Sequence, residues 1–167
     1  MRLTTLFVVM AALVLVSCRV GAPADPSARW VRYYDKPLGV SYEVPWDFAI
    51  KGSGPSADEG KELSTPTQLS SPSAATRIEL QLFRAPSDDL RAMARQWMGP
   101  NAAENGHDVP VGTRSGYWVE GAFQDSDAAV VFIVPRPGQV LIAQILPRTS
   151  PRITGFQHLL DSMIFDT

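Results

Sequence analysis

From residue 30 onward, the sequence is a succession of short segments in which apolar residues tend to occupy every second position. The clearest is TRIELQLF, residues 76–83, where Ile78, Leu80 and Leu82 alternate with charged or amide side chains. Successive side chains of a β-strand point to opposite faces of a sheet, so this alternation predicts a strand with one buried face. Because such strands need an apolar layer to pack against, the pattern restricts the chain to a fold built on a β-sheet.

Further segments of this kind are separated by turn residues. Strands are predicted over residues 30–34, 40–44, 48–50, 109–113, 117–123, 130–134 and 140–146. The segment VVFIV (130–134) is apolar throughout, which predicts a strand covered on both faces. Short turns containing Asp, Gly and Pro separate several of these segments and favour antiparallel hairpins.

Two segments show helical spacing instead. The apolar stripe of the first is Leu90, Met93, Ala94 and Trp97, and that of the second is Ile153, Phe156, Leu159, Leu160 and Met163. We predict that Ser87 is the N-cap of the first helix, and that Gly99-Pro100 ends it. Ser150 is predicted as the N-cap of the second, with Pro151 at its first position. The order of elements predicts an α+β fold, an antiparallel β-sheet with helices packed on it.

Two stretches between these elements are predicted as loops. Residues 52–75 contain mostly Ser, Pro, Thr and Gly and hardly any large apolar side chain, which predicts a long polar loop. Residues 101–108 are predicted as a second loop. The remaining segments provide enough apolar residues for a single globular domain over residues 30–167.

The N-terminus has the pattern of a secretory signal. Arg2 is followed by an almost uninterrupted apolar run from Leu3 to Val16. This run is shorter than the roughly 20 residues that a helix needs to span a bilayer. We therefore predict a cleaved signal peptide over residues 1–17; a short N-terminal membrane anchor is the alternative.

The run ends in Leu15-Val16-Ser17-Cys18, which resembles the lipobox of bacterial lipoproteins. The resemblance implies cleavage before Cys18, diacylglycerol and palmitate chains on that residue, and an extracytoplasmic protein anchored by lipid. In a host with two membranes the anchor would lie in the outer membrane. Cys18 is also the only cysteine, so lipidation would account for it without a disulfide. Residues 18–29, small and polar after the cysteine, are predicted as a flexible linker.

Composition excludes one class of partner. The chain has 15 basic and 17 acidic residues, for a formal net charge of −2. No segment concentrates the basic residues as a nucleic-acid interface would, so we expect no nucleic-acid binding.

No arrangement of residues predicts catalysis or a cofactor. The sequence contains no G-x-S-x-G, H-E-x-x-H or phosphate-binding loop motif. With His107 and His158 as its only histidines and Cys18 lipidated, a zinc site is not expected. Glu43, Glu79 and Glu120 lie on predicted strands, where a pair of carboxylates meeting across the sheet would be needed for acid–base chemistry. We predict no catalytic residue, no metal and no cofactor.

Aromatic residues are the remaining candidates for binding. Tyr34, Trp46, Tyr117 and Trp118 are the predicted contacts for a partner or ligand. Adjacent Tyr117 and Trp118 must point to opposite faces of a strand. Rings on a sheet face that lacks helix cover would be exposed, and exposed aromatic rings suit protein or ligand contacts.

The pattern as a whole resembles the PsbP-like family, which includes the DcrB-like bacterial lipoproteins. The resemblance rests on the opening hairpin G-V-S-Y-E-V-P-W (39–46), the strand-then-helix unit at 76–98, and the last three strands with their closing helix. It implies an α/β/α sandwich whose members mostly bind or stabilise other proteins. The leading hypothesis is therefore a non-enzymatic lipoprotein that binds or assembles another envelope protein. A small-molecule carrier or sensor, and an envelope enzyme using carboxylates, are the alternatives.

Replacing Cys18 with Ala tests the anchor. The variant should accumulate as a precursor that incorporates no radioactive palmitate, because the thiol that would accept the lipid is gone. Mass spectrometry of the native product gives the second measurement. An intact Met1, an unmodified thiol, or unchanged palmitate labelling of the variant would contradict the assignment.

Overall fold

The computed structural model describes residues 29–56 and 61–167. The predicted signal peptide, the lipobox residues Leu15, Val16, Ser17 and Cys18, and the linker up to residue 28 lie outside this range. The elements in chain order are β1 (Trp30–Asp35), β2 (Val40–Pro45), β3 (Ala49–Lys51), β4 (Thr67–Ser70), β5 (Arg77–Arg84), α1 (Leu90–Met98), α2 (Pro100–Glu104), β6 (His107–Val111), β7 (Arg114–Phe123), β8 (Ser126–Ile133), β9 (Gln139–Leu146), α3 (Ile153–Asp161) and β10 (Ile164–Phe165). None of the helices in these two ranges is long and apolar enough to cross a membrane.

The strands form two antiparallel sheets, where the sequence predicted one. Seven strands follow the order β3-β4-β5-β9-β8-β7-β6, and the first hairpin joins β10 in a separate sheet of order β1-β2-β10. The hairpin separates because its inward side chains, including Val40, Tyr42 and Val44, pack onto one face of the larger sheet and share its core. The predicted class, an α+β fold with antiparallel sheets, is confirmed.

The central strands of the larger sheet are buried on both faces. On β8, Val131 and Ile133 join the core beneath the smaller sheet and α3. Their neighbours Val130 and Phe132 join a second core beneath α1 and α2. The apolar segment 130–134 predicted this burial on both faces. Helices consequently lie on both sides of the sheet, as in an α/β/α sandwich.

The segment predicted as one long polar loop contains a strand. Within residues 52–75, β4 pairs with β3 on one side and with β5 on the other. Leu69 is completely buried, while the neighbouring Gln68 is partly exposed. The strand escaped prediction because its inward positions are Leu69 and the small polar residue Thr67. Thr67 donates a hydrogen bond to Asp35 of β1 and so joins the two sheets.

The helix starts differ from the predicted ones. The N-cap of α1 is Asp89, whose carboxylate accepts a hydrogen bond from the backbone of Ala92 at 3.0 Å, and Ser87 instead bonds to Asp89. Ser150 is not the N-cap of α3, which begins after Arg152. The Ser150 hydroxyl forms hydrogen bonds with the Thr76 hydroxyl, at 2.5 Å, and with the backbone N–H of Arg152.

Residues 101–108, predicted as a loop, are mostly structured. Gly99, which has a positive φ of 87°, ends α1 as predicted, but Pro100 then begins the short helix α2. The predicted strand at 109–113 starts earlier, at His107, and ends at Val111. The turn after it contains Gly112, which has a positive φ of 54° and packs directly on the backbone of Met163, between the end of α3 and the start of β10.

Gly112→Ala should destabilise the domain more than Gly138→Ala, and the comparison isolates the contact with α3. Both glycines have positive φ, so each alanine introduces left-handed strain of about 1–2 kcal/mol. At Gly138 the added methyl group meets no atom within 4 Å, whereas at Gly112 it would overlap the Met163 carbonyl. Urea denaturation followed by tryptophan fluorescence measures both free energies of unfolding. Equal losses would contradict a close contact between this turn and α3.

Candidate functional site

A cleft opens where helix α3 lies beside the β6 edge of the seven-stranded sheet. Its volume is about 370 Å³, within the range that small ligands or single partner side chains occupy. The residues that line it are His107, Val109, Pro110, Trp118, Glu120, Ile153, Gln157, Leu160 and Asp161. We call this the β6–α3 cleft. The sheet contributes one wall and α3 the other.

Trp118 is the buried aromatic residue of the cleft. Only 6% of it is exposed, and its ring packs against Phe156 with centroids 5.7 Å apart. Trp118 and Glu120 are two positions apart on β7 and therefore share a face of the sheet. The indole Nε1 donates a hydrogen bond of 3.1 Å to Glu120 Oε1, which fixes the direction of that carboxylate.

The charge at the cleft is negative. Glu120 and Asp161 are among the lining residues, which include no lysine or arginine. Arg148 approaches Glu120 to 3.6 Å from outside, but its guanidinium makes a shorter contact of 2.9 Å with Asp127. Apolar walls with carboxylates at the rim suit a group that is both apolar and positively charged.

The predicted contact aromatics are placed apart from one another. Trp118 lines the cleft, whereas Tyr117 points to the opposite face and is only 3% exposed. Its hydroxyl donates to the carbonyl of Ala103 at 2.6 Å. Tyr117 thus offers no surface to a partner, because α2, which the sequence did not predict, helps to cover it. Tyr34 is exposed, with its hydroxyl donating to Asp166, and so is Trp46.

Trp46 belongs to a second surface feature at the start of the domain. Arg29, Trp30, Val31 and Trp46 line a shallow depression of about 720 Å³, which we call the tryptophan patch. Trp46 is 64% exposed and Val31 is 50% exposed. The two chain segments are held together by a hydrogen bond of 2.8 Å from the backbone N–H of Trp46 to the carbonyl of Arg29.

Helix α3 separates the patch from the cleft. With 3.6 residues per turn, Ile153, Gln157 and Leu160 share the flank that faces the cleft. Gly155 and His158 lie on the other flank, where the His158 ring sits 3.9 Å from the ring of Trp30. The patch and the cleft are therefore on opposite flanks of one helix.

The three strand carboxylates considered for acid–base chemistry do not meet. Glu120 lies at the cleft, and Glu43 pairs with Arg32 and His158, each at 2.9 Å. Glu79 is on the other face of the sheet, where two glutamine amides and Arg77 bond to it. Within residues 29–56 and 61–167, no three His, Asp or Glu side chains are grouped as a metal site would require.

Comparisons with known proteins show the fold. No protein-family model matches the sequence, and no curated protein matches it. The structure resembles a protein from Bacteroides thetaiotaomicron VPI-5482, with a TM-score of 0.52 and 11% identity over 80% of this chain; it spans about half of that protein, 48%. It also resembles cyanobacterial PsbP (CyanoP) from Synechocystis sp. PCC 6803, with a TM-score of 0.50, 12% identity and coverage of 85% of this chain and 95% of that one. The chain thus has a PsbP-like fold, as the sequence pattern predicted, and membership of a lipoprotein family stays a prediction.

The contact between Glu43 and His158 predicts an acid-dependent loss of stability. The hydrogen bond from His158, and then that from Arg32, lower the pKa of Glu43 from its usual 4.5. A carboxylate with a lowered pKa in the folded state stabilises it above pH 4.5, and this contribution is lost as the pH falls through the lower value. Glu43→Gln should therefore reduce the free energy of unfolding at neutral pH and flatten its decline below pH 4.5.

Urea denaturation across this pH range measures the effect. Glu104→Gln, at an exposed carboxylate ending α2, is the matched control and should leave the pH profile unchanged. A Glu43→Gln profile parallel to that of the wild type would show that the pairing does not stabilise the fold.

Proposed function

We propose that this chain is an extracytoplasmic lipoprotein, anchored through Cys18, that binds another envelope protein without catalysing a reaction. The anchor is supported by the apolar run, the leucine, the small residue and the cysteine, which occur in the lipobox register at residues 15–18. The PsbP-like fold supports a binding role, because the sequence resembles a family whose members mostly bind or stabilise other proteins.

The observation that carries the proposal is the β6–α3 cleft. Its walls are apolar at Val109, Ile153 and Leu160, and its ionisable rim includes the carboxylates of Glu120 and Asp161. A partner segment that places a lysine or arginine next to an apolar side chain satisfies both features. The aliphatic stem of such a residue packs on the apolar walls while its charge reaches the carboxylates.

Binding at such a rim is expected to be selective rather than strong. Glu120 is about half exposed, at 52% of its side chain, so water screens its charge. Exposed ion pairs contribute roughly 0.2–1 kcal/mol each. The apolar contacts with Val109, Pro110 and Ile153, which are at least partly exposed, would supply most of the affinity, and the carboxylates would select the basic residue.

A small-molecule carrier or sensor is the second candidate, because the same cleft favours it. Its volume of about 370 Å³ admits a small organic cation as readily as a side chain. The two functions differ in what occupies the cleft, and this difference can be measured directly.

Site-specific photocrosslinking in cells tests the proposal. A photoreactive amino acid replaces Gln157, which lines the cleft, and in a control replaces Ala92, an exposed residue of α1 on the opposite face of the large sheet. We expect a protein adduct from position 157 and none from position 92. Replacing both Glu120 and Asp161 with amides should weaken that adduct several-fold, because the charge that selects a basic residue is removed.

The outcomes separate the two functions. A small-molecule adduct on the peptide containing residue 157, without a protein adduct, would support the carrier and contradict the protein partner. Equal protein adducts from positions 92 and 157, or an adduct unaffected by the two amide substitutions, would show that the cleft is not the binding site.

A further inference from the structure

We infer that the tryptophan patch rests on the surface of the phospholipid bilayer that holds the lipidated Cys18. This deepens the proposed function and depends on its lipid anchor. It assigns the two flanks of α3 to different tasks, the Trp30 flank to the membrane and the other flank to the partner.

The chain enters the domain at the tryptophan patch. Arg29, the first residue that the structure describes, is itself part of the patch. Ten residues lie between Cys18 and Arg29, which makes eleven residue-to-residue steps. Even fully extended, they span at most about 36–40 Å. The patch is thus the part of the domain attached most directly to the anchor, and a short tether keeps the bilayer at high effective concentration next to it.

The exposed side chains of the patch have the chemistry of a membrane interface. Tryptophan is enriched at membrane interfaces, because its ring is largely apolar and its N–H can still bond to water or headgroups. Trp46 is the most exposed large apolar side chain of the described residues, at 64%, and Val31 beside it is 50% exposed. Arg29 adds a cation of the kind that binds lipid phosphate.

The charges near the patch do not oppose this contact. The carboxylate next to Trp46 is that of Asp47, and it is paired with Arg152 at 3.1 Å. On the α3 side, Glu43 is paired with both Arg32 and His158. Among the described residues Arg29 makes no ion pair, so its charge is available to anionic headgroups.

The shape of the patch also favours a broad surface over an enclosed ligand. Four residues line a depression of about 720 Å³, twice the volume of the β6–α3 cleft with fewer than half as many lining residues. A wide and shallow surface with two tryptophans fits the interface of a bilayer, into which side chains penetrate only a short distance.

Fluorescence quenching by brominated lipids tests the inference on the full lipidated protein. The protein is reconstituted in vesicles of phosphatidylethanolamine and phosphatidylglycerol, with or without bromine on the acyl chains near the headgroup. We expect brominated vesicles to quench the tryptophan emission and Trp46→Phe to remove most of this quenching. Trp97→Phe is the matched control and should keep it, because Trp97 packs between Phe83 and Phe123 on the far side of the sheet.

Vesicle flotation, carried out on the same samples, separates this inference from the anchor. Protein that floats with the vesicles but shows no quenching attributable to Trp46 would overturn the membrane contact and leave the anchor standing. Protein that does not float would overturn the anchor, and the membrane contact with it.

Discussion

The requirement that both faces of the seven-stranded sheet be covered determines where the rest of the domain lies. β8 and β9 are apolar on both sides, so neither face can be left to water. Each large apolar side chain buried there contributes about 1.5–3 kcal/mol, and several lie on each face. Exposing one face would therefore cost more than the roughly 5–15 kcal/mol by which a domain is stable. Helices α1 and α2 cover one face, and the smaller sheet with α3 covers the other.

The candidate site lies on the face of the large sheet that the smaller sheet and α3 cover. The smaller sheet is narrow, because its third strand, β10, has only two residues. Helix α3 fills the space beside it and buries Phe156, Leu159 and Leu160 against the large sheet. A helix that packs along one side leaves its other two flanks free. One flank forms the cleft with the β6 edge, and the other meets Trp30. The turn at Gly112, pressed on the backbone of Met163, positions the end of α3 against that edge.

The parts of the fold that were predictable are those decided by local periodicity. The alternation of Ile78, Leu80 and Leu82, and the apolar segment 130–134, correctly predicted two buried strands, although β8 begins earlier, at Ser126, and ends at Ile133. Strand β4 was missed because Thr67 is buried through a hydrogen bond to Asp35, a contact between distant segments. The separation into two sheets could not be predicted for the same reason, because strand pairing depends on contacts between segments that are distant in the sequence. In the site, the shared face of Trp118 and Glu120 follows from their spacing, whereas Asp161 joins them only through the docking of α3.

The opposite placement of the patch and the cleft has a mechanical consequence for the proposed lipoprotein. A helix with its side chains is about 10–12 Å wide. If the patch lies on the bilayer, α3 stands between the lipid surface and the cleft, which then opens at the side of the domain and above the headgroups. An anchor entering beside the cleft would instead compete with a partner for the same space. Because Arg29 and Trp46 are bonded together on the far flank, the chain enters the domain where it does not obstruct the cleft. Anchoring and binding can therefore occur together, with α3 packed between the two surfaces.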